Sequence, residues 1–339
     1  MSASLAFALI LMVAAAILSA LACMGWMRFA HARGLFDVPG GRRVHSQITP
    51  RGGGIGIALV LLLLTIILAL QASPLASAWC GLAIGIVLLT VLGLVDDLRS
   101  LSALPKFCLQ WLAALAMLIP LLRQMPMPML VLILLPASLV TVAVINVWNF
   151  MDGSHGLVTV QGALIALAVA FVPGQDMDLR FAAFVLAGAC LGFLPFNFPN
   201  ARVFLGDIGS HVLAGGVVGL LLISLHLHTL TIAQALMISS VMLIDAGVTL
   251  LRRACSGRVL WQAHREHLYQ FAVRCGRAPW QVCLAYGTAT ALAIGIALAL
   301  SAATMLAQCI ATLLLFATGV IAHAGLRRRL LQRRRRSAA

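Results

Sequence analysis

The chain has 339 residues, of which 62% are hydrophobic and only 9% charged, and its formal net charge is +14. Soluble domains carry about 25% charged residues, so the composition excludes an ordinary globular enzyme, a disordered chain and a small disulfide-stapled domain. The eight cysteines include no CxxC pair, lie mostly in apolar stretches, and read as small buried hydrophobes.

Apolar blocks separated by short polar stretches predict an all-α, polytopic transmembrane helical bundle. In chain order the blocks are 5–27, 52–70, 75–95, 105–122, 129–148, 157–172, 179–196, 209–228, 230–250, 281–302 and 304–325. That makes eleven spans, with 157–172 the shortest and 105–122 among the next shortest. The first block lacks a basic leading region and reads as a span, not as a signal peptide. A single integral-membrane domain covers 1–326, and a basic tail with seven arginines occupies 327–339.

Of the 23 basic residues, all but Arg123 and Arg180 fall on one side of this arrangement. The positive-inside rule then puts the N-terminus in the periplasm and the C-terminus in the cytoplasm of a bacterial inner membrane. Nucleic acid is not the expected partner, because Lys106 is the only lysine and no aromatic-interleaved basic face exists. The arginine tail reads as a contact for anionic membrane lipids. Outer loops are nearly empty, whereas the cytoplasmic loops hold almost all the polar residues. That asymmetry suits an enzyme at the membrane surface; a transporter places polar groups near mid-membrane.

Nine acidic residues carry the rest of the argument. Asp176 and Asp178 read as solvated charges of an outer loop, and Asp37 lies in the first cytoplasmic loop with His31 and His45. Asp96 and Asp97 follow an apolar run directly; two adjacent carboxylates at a membrane boundary repel each other, which a divalent cation or a retained proton relieves. Asn146, Asn149 and Asp152 recur every three residues, which places them on one helix face. Asp207 sits between Gly206 and Gly209 in NFPNARVFLGDIGSH, where helix-start amides suit a phosphate and the carboxylate suits magnesium. Asp245 lies inside the ninth block, with either a functional role or a pairing to Arg252 or Arg253. His264 and His267 form an HxxH in an arginine-rich loop; without further ligands nearby, a grip on phosphates is favoured over zinc. His226, His228 and His323 read as incidental. Together these groups point to a Mg²⁺-dependent reaction on phosphates, with one substrate in the lipid and one in the cytosol.

The loops also resemble a family. PRGGG at 50–54, VDD at 95–97, NVWNFMDGSHG at 146–156, PNARVFLGDIGS at 199–210 and AHREH at 263–267 resemble, in family order, the polyprenyl-phosphate N-acetylhexosamine-1-phosphate transferases. These belong to the glycosyltransferase 4 and phospho-N-acetylmuramoyl-pentapeptide transferase superfamily. The eleven spans and the HREHLYQ stretch look closest to the branch that initiates O-antigen.

The resemblance implies transfer of sugar-1-phosphate from a UDP-N-acetylhexosamine to undecaprenyl phosphate, with release of UMP. The donor is UDP-N-acetylglucosamine by default, or a 6-deoxy UDP-HexNAc. It implies Mg²⁺, with Mn²⁺ as the alternative, and allows a homodimer. By resemblance Asp207 binds the metal with Asn149 beside it. Asp96 or Asp97 orients or deprotonates the lipid phosphate, and Asp152 contacts the nucleotide or a nearby water. His264, Arg265 and His267 grip sugar or phosphate, Lys106 or Arg99 meets the lipid phosphate, and Asn146, His155 and Arg202 complete the substrate-binding set. Two positions depart from the family: His155 replaces a carboxylate or amide, and Ser100 stands where several relatives carry a third Asp. The rival readings are a non-catalytic protein that binds the lipid carrier, which the His155 departure allows, and an ion-coupled transporter.

Overall fold

The computed structural model describes residues 3–37, 49–259 and 264–336; His45 and Ala263 lie outside them. Twelve helices and one two-stranded ribbon follow in order: α1 (Ala3–Arg33), β1 (Phe36–Asp37), β2 (Thr49–Pro50), α2 (Ile55–Leu70), α3 (Ala76–Leu98), α4 (Ala103–Leu122), α5 (Met127–Met151), α6 (Leu157–Ala170), α7 (Met177–Asn197), α8 (Gly206–His226), α9 (Ile232–Cys255), α10 (Leu268–Arg274), α11 (Pro279–Ala299) and α12 (Met305–Arg336). The chain is an all-α multi-pass membrane protein, and nine of the described helices are long and apolar enough to cross a bilayer.

Every predicted span is a helix, but the short ones differ in part from expectation. α4 has 20 residues, whereas α2 has 16 and α6 has 14. At 1.5 Å per residue the last two reach about 24 and 21 Å, less than the roughly 30 Å of a hydrocarbon core. The second block loses its first residues to a turn. Gly53 and Gly54 donate backbone N–H groups to the carbonyls of Phe204 and Leu205, both at 2.9 Å. The pairing ties the segment after β2 to the chain just ahead of α8.

α8 forms the axis of the bundle. Nearly all its residues are buried, and it packs against α2, α3, α5, α6 and α7. The rim helices turn large side chains outward, such as Ile10 and Leu21 on α1 or Leu313 and Ile321 on α12, which suits a lipid solvent. Small residues set the closest approaches. A Cβ on Gly188 or Gly192 of α7 would meet the α1 carbonyls of Met12 and Ala16 at 2.1 and 2.0 Å. A Cβ on Gly93 of α3 would lie 2.3 Å from the Ile208 Cα of α8, so glycine lets these two helices touch where their acidic residues lie. α12 continues unbroken past Leu326 into the arginine tail.

Candidate active site

Asp97 ends α3 and Asp207 begins α8, and the Gly93 contact brings these ends together. The Ile208 N–H donates to Asp97 Oδ2 at 3.1 Å, and Asp97 is only 5% exposed. Gly206 has φ +77°, and a Cβ there would fall 2.6 Å from Asp97 Oδ2. This position needs glycine for both its backbone and its space. Asn149, on the last turn of α5, donates to Asp207 Oδ1 at 2.6 Å and to Ser210 Oγ at 3.0 Å. Asp152 follows as the C-terminal cap of α5. Its carboxyl is pushed well above the usual carboxylate range, first by burial and then by the negative charges of Asp207 and Asp97.

The adjacent pair at the end of α3 splits its work. Asp96 turns toward α4, where it accepts from the Leu101 N–H at 2.8 Å and pairs with Lys106. Asp97 instead faces the carboxylates, with the Arg51 guanidinium 4.0 Å away. Arg51 was not singled out from the sequence, although it belongs to the PRGGG motif. Trp26 holds that segment by donating to the Arg51 carbonyl at 2.7 Å.

Asn146 sits one turn below Asn149, with both ends of its amide committed. It donates to Gln110 Oε1 at 2.7 Å and accepts from Gln110 Nε2 at 3.3 Å. Gln110 also reaches His211 Nε2 at 3.1 Å, and His211 Nδ1 contacts the Asp207 carbonyl at 2.7 Å. Asn146 thus belongs to a buried network beneath the site. His155 and Arg202 lie to one side. The His155 ring meets the Pro199 carbonyl at 3.3 Å, and Arg202 donates to the Pro195 carbonyl at 3.0 Å while covering the Phe196 ring. Arg99 is exposed at the end of α3.

The HREH loop closes the other flank. His264 stacks on His267 with centroids 4.8 Å apart, and His267 stacks on Phe150 and Tyr269. Burial, then the charges of His267 and Arg253, push His264 down to about 4. His267 is lowered chiefly by burial, against the pull of Asp245. Arg265 lies partly buried in the same loop. Glu266 is held by Arg252, Arg253 and Arg258, whose bonds and charges outweigh its burial and keep it below the usual range. Asp245 therefore pairs with neither Arg252 nor Arg253, since Glu266 takes both. Its partners include His323, 3.3 Å away, so His323 is not incidental.

Comparison with known proteins decides the family. The model for Glycosyl transferase family 4 matches residues 79–226, which contain the carboxylate cluster. A decaprenyl-phosphate N-acetylglucosaminephosphotransferase from Mycolicibacterium smegmatis is 32% identical over 79% of this chain and 78% of its own length. The chain belongs to this family. Other members with similarity to it include a Bacillus subtilis protein named "Probable undecaprenyl-phosphate N-acetylglucosaminyl 1-phosphate transferase", 28% identical over 71% of this chain and 70% of its own. A phospho-N-acetylmuramoyl-pentapeptide-transferase of Thermosynechococcus vestitus matches a shorter stretch, 42% identical over 27% of this chain and 24% of its own. The family match covers the ends of α3, α5 and α8, and the most buried of the nine span-length helices carries Asp207.

Proposed function

We propose that this protein transfers N-acetylhexosamine-1-phosphate from a UDP-sugar to undecaprenyl phosphate, releasing UMP. The observation that carries the reading is the meeting of Asp97, Asp152, Asp207 and Asn149 from three helix ends, within the family match. The names of the relatives support the polyprenyl phosphate acceptor and the N-acetylglucosamine donor. We further propose that the site opens to the cytoplasm of a bacterial inner membrane and that the product starts O-antigen or another envelope glycan. The basic residues of the loops support that sidedness.

The donor set fits a magnesium ion. Three carboxylates crowd together, and burial with mutual repulsion holds Asp152 toward its protonated form. Among the described residues no group of three or more His, Cys, Asp or Glu side chains is placed to hold a metal ion. Mg²⁺ does not need such a group, since it binds through one or two protein carboxylates and takes its other ligands from phosphates and water. Asp207 and Asp97 would hold the ion, with Asn149 orienting Asp207. When bound, it neutralises the pyrophosphate and stabilises the charge that develops as UMP leaves.

The protein's own residues do the remainder. A phosphate monoester has its second pKa near 6, so the lipid phosphate arrives largely as the dianion and needs placement more than deprotonation. Its oxygen attacks the β-phosphorus; the bond from that phosphorus to the bridging oxygen breaks, and UMP carries the electron pair away. Arg51 is placed to hold a phosphate beside Asp97. Lys106 is committed to Asp96, so its share in lipid binding comes with the α3–α4 corner it stabilises. His264 and Arg265 face the nucleotide sugar from the opposite flank.

The test is UMP release from undecaprenyl phosphate by purified protein in lipid, with Mg²⁺ and UDP-N-acetylglucosamine beside a panel of 6-deoxy UDP-HexNAc donors. UMP that depends on Mg²⁺ and vanishes in Asp207→Asn supports the transferase, and the most active donor names the product. A protein that binds the lipid yet yields no UMP from any donor overturns the reading.

A further inference from the structure

A second buried carboxylate lies away from the reacting groups. Asp245, midway along α9 and 2% exposed, collects donors from three directions. The backbone N–H groups of Leu268 and Tyr269, the first two residues of α10, donate to it at 2.8 and 3.3 Å. Tyr286 of α11 donates at 2.6 Å, and Thr249 at 3.3 Å. His323 of α12 approaches at 3.3 Å, and the His267 ring lies 3.9 Å away. One carboxylate therefore joins α9, α11 and α12 to the end of the HREH loop.

From there the connection reaches the carboxylate cluster. The Tyr269 hydroxyl donates to the Phe150 carbonyl at 3.0 Å. Phe150 lies in the last turn of α5, where carbonyls lack helical partners, so this bond satisfies an otherwise orphaned acceptor. The same hydroxyl fills the space over Gly153, where a Cβ would approach it to 2.3 Å. Asn149 and Asp152 flank this contact in sequence.

We propose that Asp245 is a positioning residue for the nucleotide-sugar half of the site. It fixes the start of α10, the start of α10 fixes Tyr269, and Tyr269 fixes the 149–153 turn against the HREH loop. The inference rests on the transferase reading and deepens it. It touches only one substrate, because the lipid-phosphate side is built by Arg51, Asp97 and the α3–α4 corner, which Tyr269 does not contact.

The experiment compares Tyr269→Phe with Tyr286→Phe in full-length protein in nanodiscs. Tyr286→Phe deletes a hydroxyl that donates to Asp245, whereas Tyr269→Phe leaves that nest intact and deletes the hydroxyl that donates to Phe150 of α5. UDP-N-acetylglucosamine and undecaprenyl phosphate are varied separately, and thermal unfolding is recorded. Both variants are expected to melt earlier by similar amounts. Tyr269→Phe alone raises KM for the UDP-sugar about fivefold, the loss of one neutral hydrogen bond, with KM for the lipid unchanged. Binding of the UDP-sugar measured without lipid acceptor weakens by the same factor. Asp245→Asn gives the same split with a larger rise, and if it does not fold, Tyr269→Phe still decides. Unchanged KM in Tyr269→Phe, or an equal rise for both substrates, overturns the inference. Wild-type protein that releases no UMP overturns the transferase reading instead, and this inference with it.

Discussion

Two acidic centres divide this molecule, and they are built on opposite principles. Asp245 is surrounded by donors from α9, α10, α11 and α12, so its charge is fully answered within the protein. Asp97, Asp152 and Asp207 face one another, and among the described residues the Arg51 guanidinium lies 4.0 Å from Asp97. A carboxylate saturated with donors fixes backbone; carboxylates that repel each other are a strained arrangement, retained where a cation and phosphates complete the charge.

The sharpest way to break this contrast is to neutralise one acid in each centre. Asp207→Asn is expected to cost about a thousandfold or more in UMP release, because the group that stabilises developing charge is lost. Its melting temperature should stay level or rise, since a repulsive neighbour disappears. Asp245→Asn should do the reverse to stability. It turns one acceptor oxygen into a donor inside a nest of donors, at a cost of about 2–4 kcal/mol. Thermal unfolding of both variants beside their UMP release reads the two signs directly. Two acids that destabilise alike on neutralisation would erase the distinction.

A gentler test moves the reactive acids apart without changing them. Gly93→Ala inserts a methyl group 2.3 Å from the Ile208 Cα, and backbone cannot rotate aside as a side chain does. Overpacking of this kind costs about 1–3 kcal/mol. The separation of α3 from α8 should also reduce UMP release by more than the lost stability explains. Smaller again is the effect of Lys106→Met, which strands Asp96 without its cation. Lys106 is about one-third exposed, so solvent screens the pair and the loss is about 1–2 kcal/mol. Asp96→Asn in the same chain should restore most of it. A double variant as unstable as the single one would show that Lys106 does something other than neutralise Asp96.

Much of the fold was legible because a bilayer demands long apolar runs, and each predicted block is a helix. The blurred boundaries lay where polar chemistry interrupts apolar sequence. Gly52, Gly53 and Gly54 resemble span residues by hydropathy, yet they form the turn that pairs with Phe204 and Leu205. The acids of the cluster were legible from their glycine-flanked, boundary positions. The division of labour between Asp96 and Asp97 was not, because adjacent residues on a helix point in different directions and only packing decides which faces α8. Arg51 was hidden as one arginine among many, although its motif marked it. His323 was missed because its partner, Asp245, lies 78 residues earlier, and a lone histidine at a span end carries no pattern.

The last expected effect concerns His264, which stacks on His267 beside Asp245. Burial and the positive charges around it hold its pKa at about 4, below the ordinary 6.5. A folded-state pKa below the unfolded one means that folding favours the neutral ring. This contribution is fully present above pH 6.5 and is lost as pH falls toward 4. His264→Gln keeps a neutral polar group and removes the titration. Wild type and variant should therefore differ by a constant amount in melting temperature from pH 8 to pH 6.5. Below that the wild type should lose ground, with the change complete near pH 4. The neutral ring also defines what the loop offers a phosphate at neutral pH: a hydrogen bond from His264, with the positive charge left to Arg265. If His264→Gln instead shifts the UMP-release profile between pH 6.5 and 8, the imidazole titrates in the working enzyme. The HREH flank would then share the charge-seeking character of the carboxylate cluster, not the settled one of Asp245.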